Sequence, residues 1–157
     1  MTKTTSEVHE ALRAWARGIY PTEAATELLI RTGMVSTGDS WVQPGDDPGW
    51  WWINFEELAR ALNAGTAHSG GERRLLSIAA SLGGHSPDGF QLADALPGLD
   101  RKHLALVLAA VAHAGGSHEH HDTSALENAA AAGLPLDRSM LAGTPLGSLY
   151  PWPEQQA

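Results

Sequence analysis

The sequence predicts an all-α protein: a single compact helical bundle with an N-terminal helical hairpin, a long loop pinned by tryptophans and an extended C-terminal tail. Three observations predict this. Apolar residues repeat at helical spacing in successive stretches, cap-forming residues precede several of them, and β-branched residues nowhere alternate with polar ones as a strand requires. The 157 residues suit one core, so 1–157 reads as one domain: a hairpin at 7–33, a loop at 34–50, a bundle at 51–143 and the tail at 144–157.

Met1 to Ser6 is polar and is expected to fray. Val8, Ala11, Leu12, Trp15 and Ile19 then form a helical stripe, with His9, Glu10, Arg13 and Arg17 on the other face. Gly18 stops that helix and Tyr20-Pro21-Thr22 starts the next, whose Ala24, Ala25, Leu28 and Leu29 point inward until Gly33. Residues 34–50 hold three Gly and two Pro, the punctuation of a loop. Trp41 and the run Trp50-Trp51-Trp52 are too apolar to leave in water, so this loop should lie on the protein with at least two rings of the run mostly buried.

Asn54 with Glu57, and Ser69 with Glu72, have the spacing of capping boxes ahead of the stripes Phe55-Leu58-Ala59-Leu62 and Leu75-Ile78-Ala79-Leu82. Gly83-Gly84 ends the second, and a short helix spans Gln91 to Leu96. Asp100 caps the most apolar helix, whose 104–112 segment LALVLAAVA is hydrophobic almost all round. That pattern belongs to a central helix packed on several sides, with Leu104, Val107, Leu108 and Val111 expected to be the least exposed residues. Gly115-Gly116 stops it. Ser124 with Glu127 opens a helix through Ala132 that ends at Gly133, and Asp137 to Ala142 adds a last helical turn.

Composition narrows function. A formal charge of −8 offers no counter-charge to phosphates, so nucleic acid is an unfavourable partner. Without cysteine there are no disulfides, thiolate zinc sites or cysteine nucleophiles. No 18-residue apolar run and no signal-peptide core opens the chain, which predicts a cytoplasmic protein with no membrane partner. No G-x-S-x-G or H-E-x-x-H motif occurs.

Four local patterns bear on chemistry. HSGGERRLLSIAASL at 68–82 resembles the signature helix of ABC-type ATPases, and Gly98-Leu99-Asp100 resembles their D-loop. The phosphate loop of that family is missing, since neither Lys3 nor Lys102 follows the required glycines. His113, His118, His120, His121 and Asp122 are the types that bind zinc, nickel or manganese, and a loop can fold them round one ion. Within them, His121-Asp122 resembles the paired metal ligands of HD-type phosphohydrolases, which implies a metal-dependent hydrolase as the alternative function. Segments 72–82, 91–96 and 100–114 follow the order of a trihelical DNA-binding domain, a third reading opposed by the charge and by the apolar 104–112 helix.

Six Trp against two Tyr and two Phe is the remaining signal, because Trp is enriched where proteins bind one another. The first expectation is therefore a non-enzymatic protein-interaction module that associates with a protein partner or itself as a homodimer. Leu12, Trp15 and Ile19 of the hairpin, with Trp41 and Trp152, are its expected contacts. No catalytic residue is assigned and no cofactor is expected, the divalent ion of the alternative apart.

Overall fold

Thr4 opens the first helix. Its hydroxyl accepts from the Glu7 amide while the Glu7 carboxylate accepts from the Thr4 amide, a reciprocal cap that starts α1 (Thr5–Ala16). The computed structural model describes residues 4–155. Of the segment expected to fray, Met1–Lys3 lies outside the described residues, and Thr5 and Ser6 are helical instead. Val8, Leu12 and Ala16 of α1 are buried. Gly18 turns the chain at φ 99°, a conformation that costs a side-chain-bearing residue dearly, and α2 (Tyr20–Arg31) runs back beside α1.

Helix α2 is the centre of the molecule. Ala24, Ala25, Thr26, Leu28, Leu29 and Ile30 are all buried, because α1, α4 (Gly70–Leu82) and α6 (Arg101–Ala114) pack around it. The expected centre, 104–112, lies instead along one side. Leu106, Val107, Ala109 and Ala110 of α6 face inward, while Leu104, Leu108 and Val111 are 36%, 42% and 52% exposed. A segment apolar all round carries no record of which face turns in, and α6 presents the face that includes two alanines to the core. The remaining positions, at i, i+4 and i+7, form an uncovered outer stripe.

Residues 34–53 hold a hairpin rather than a featureless loop. β1 (Val42–Pro44) pairs antiparallel with β2 (Trp51–Ile53), Val42 opposite Ile53 and Pro44 opposite Trp51. Three-residue strands are too short to alternate, so their sequence carries no strand signal. Trp41 and Ile53 are buried, Trp51 and Trp52 are half-buried, and Trp50 is exposed with its indole over Gly45. Two of the three rings thus pin the hairpin. Asn54 caps α3 (Phe55–Ala64) and Ser69 caps α4 with Glu72 returning the bond. Phe55 lies so close to Gly83, at the end of α4, that only glycine fits there. α5 (Leu92–Ala95) and a 3-10 turn lead to Asp100, which caps α6.

Beyond α6 a 3-10 turn at Ser117–Glu119 leads into an arm. β3 (His121–Asp122) pairs with β4 (Thr144–Pro145), and between them run α7 (Ser124–Ala131) and α8 (Arg138–Ala142), which pack chiefly on each other. The start of α7 differs from the expected box at Ser124: the N-cap is Thr123, and the Asp122 carboxylate accepts the Ser124 amide. The tail then returns to the bundle, with Gln156 and Ala157 outside the described residues. The fold is mostly helical, and among the described residues the strands are confined to two short antiparallel pairs. No helix among the described residues is long and apolar enough to cross a membrane.

Candidate functional site

Two features stand out from this frame, a polar cleft and an uncovered apolar surface. The cleft forms where the first turn of α2, the last turn of α6 and the returning tail meet. His113 Nε2 lies 2.8 Å from Glu23 Oε1, and the Gly18 amide donates to the other Glu23 oxygen at 2.8 Å. Burial opposes ionisation of Glu23, but the Gly18 amide and His113 outweigh it and hold its pKa below the ordinary carboxylate range. The His118 ring stacks on His113 with centroids 4.2 Å apart, and Tyr20 meets His118 edge-on at 4.7 Å. Trp152 stands 6.3 Å from His113. Arg31 sets that indole in place: its guanidinium lies 5.1 Å from the ring centroid and donates to the Pro153 carbonyl at 2.7 Å.

Behind the cleft, Glu27 joins α1 to α2. Arg13 donates to both its oxygens and Arg31 to one. Burial again opposes its charge, and the two guanidinium groups override it, so the Glu27 carboxyl is also held below its ordinary range.

The histidine cluster divides. His113 and His118 meet at the cleft, whereas His120, His121 and Asp122 lie exposed in the arm. There His121 Nδ1 bonds the Glu119 carbonyl and Asp122 caps α7. Among the described residues no group of three or more His, Asp or Glu side chains is disposed to hold a metal ion. The spacing brings histidines near one another in sequence, but His113 and His118 meet at the cleft while His121 and Asp122 pair with Pro145 and Thr144 in the arm.

The five expected contact residues separate as well. Leu12 and Trp41 belong to the core and offer no surface to a partner. Trp15 is half-buried, packed on Trp52 and Phe55 at 6.4 Å each, because the hairpin docks on its own chain. Ile19 is exposed and Trp152 walls the cleft. Sequence reasoning missed Glu23 and Glu27, although Arg13/Arg17 and Glu23/Glu27, each four residues apart on consecutive helices, are a readable sign of facing charges.

The apolar surface lies elsewhere. The α6 stripe is uncovered, and the arm exposes Leu134, Leu136, Leu141, Leu146 and Leu149, the last at 85%. Searches of family models, of curated proteins and of solved structures return no match to this chain.

Proposed function

We propose that the protein is a self-associating helical module, two copies joining through the α6 stripe and the arm. The observation that carries this reading is the pair of apolar surfaces, each without cover among the described residues. Eight aliphatic side chains offer apolar area on the order of the 800 Å2 per partner of a standard interface. A second copy is the occupant because a two-fold pair covers the same patch twice with one contact. Charge supports it too. The chain is at −8, and two copies repel, yet 124–150 carries only Glu127, Asp137 and Arg138 as charges. A contact made there keeps like charges apart, as interface cores do.

Size-exclusion chromatography with light scattering at tens of micromolar tests the reading. A dimer mass is expected, and Leu108→Glu should convert it to monomer with the helical spectrum retained. A monomer mass for the unaltered chain at that concentration, or a dimer indifferent to Leu108→Glu and to Leu149→Glu, overturns it.

A further inference from the structure

The two histidines of the cleft stand where the arm leaves the bundle. His113 lies in the last turn of α6, and His118 in the Ser117–Glu119 turn that opens the arm. The same turn receives the arm on its return. The Leu149 amide donates to the Ser117 hydroxyl at 3.2 Å, and the Leu146 amide to the His120 carbonyl at 3.0 Å. The two rings are half-buried and nearly parallel, their planes 9° apart. They differ in what each can do with a proton, because an imidazolium donates from both nitrogens. On His113, Nε2 already meets the Glu23 carboxylate, so a charge there has its counter-ion 2.8 Å away. On His118, Nδ1 is sealed from solvent without a partner among the described residues. Its Nε2 is 3.9 Å from the exposed Glu119 carboxylate, beyond hydrogen-bond reach.

We infer that the His113–His118 stack is an acid-released latch: a proton on His118 breaks the stack, sends that ring out to water and frees the arm's return from the turn. Inside the stack, the proton would create a buried donor with no acceptor. Beside a charged His113 it would also place a second cation across a centroid separation of 4.2 Å. The other groups around the pair do not relieve this. Glu27 of α2 is held by Arg13 and Arg31, Arg17 of α1 adds positive charge to the cleft, and Tyr20 offers His118 only its ring. From the arm, His121 bonds the Glu119 carbonyl and so brings no carboxylate to the stack.

NMR of the full chain from about pH 8 to about pH 5, where imidazoles take up their proton, tests the latch. As the His118 ring titrates, its nuclear Overhauser contacts to His113 and Tyr20 should vanish, and the Leu146 and Leu149 amide shifts should move to free-peptide values. His118→Phe keeps a ring in the stack but takes no proton, and should hold both amide shifts constant across the range. His120→Gln and His121→Gln, on exposed histidines of the arm, should leave the transition unchanged. Should His118→Phe disturb the turn, the ring contacts of the unaltered chain still decide. Ring contacts that survive protonation of His118, amide shifts that follow another histidine, or a transition retained in a folded His118→Phe overturns the inference. These contacts lie within one chain and read alike in monomer and dimer, so a monomer mass leaves the latch standing, and a failed latch leaves the dimer reading.

Discussion

At Thr26 a hydroxyl sits in the interior with no partner among the described residues, and that conflict has a measurable sign. Replacing a buried unsatisfied hydroxyl by a methyl of the same shape removes a desolvation cost of about 1–3 kcal/mol. Thr26→Val should therefore stabilise the protein, raising its urea midpoint; a lower midpoint would mean that the hydroxyl has a structural partner. Glu27 makes the opposite case. Its folded pKa is depressed, so its contribution is complete above the ordinary glutamate value of about 4.3 and is lost as pH falls through the folded value. Glu23 has the same sign. Urea midpoints should accordingly fall steeply below about pH 4, and Glu27→Gln should flatten that acid limb. At neutral pH the same change leaves Arg13 and Arg31 sharing an uncharged acceptor in a half-buried place, at a cost of about 2–3 kcal/mol.

Among the elements, α2 and α6 exchange the roles that their sequences suggest. Leu28→Ala in α2, fully buried, should lower stability by about 2–5 kcal/mol. Leu108→Ala on the outer face of α6 should change the stability of the monomer little and weaken only the dimer, a contrast that equilibrium unfolding at low and high protein concentration separates. Gly83→Ala should cost about 1–3 kcal/mol, since its Cβ would enter the Phe55 ring at an ordinary backbone conformation. These contrasts mark what the sequence discloses. The caps at Asn54, Ser69 and Asp100 were legible because an N-cap is decided within three residues. The facing of α6 was not, since 104–112 is apolar on every side and only the neighbours choose. The cap at Thr4 is masked by the polar stretch around it, although Glu7 stands at capping distance. The cleft was hidden for a different reason. It joins Arg17 and Thr26 to His113 and Trp152, residues brought together by the packing of α2 against α6 and by the tail's return, and no local pattern encodes that meeting.

For the molecule as a whole, the arm between Ser117 and Trp152 is tethered at both ends, and between them α7 and α8 pack chiefly on each other. The Ser117 hydroxyl bonds Ser148 and the Leu149 amide, while Arg31 holds the tail at Pro153. Amide hydrogens of α7 and α8 should exchange far faster than those of α2 in a dilute sample and slow as concentration rises, because only self-association covers them. The double tether has a further consequence, for proteolysis. The 133–137 link between α7 and α8 is exposed throughout, and cutting it severs the polypeptide without touching either anchor. Two fragments should then run apart in a denaturing gel yet elute together at the original mass, the shorter one clasped through its Trp152 end like a bound peptide.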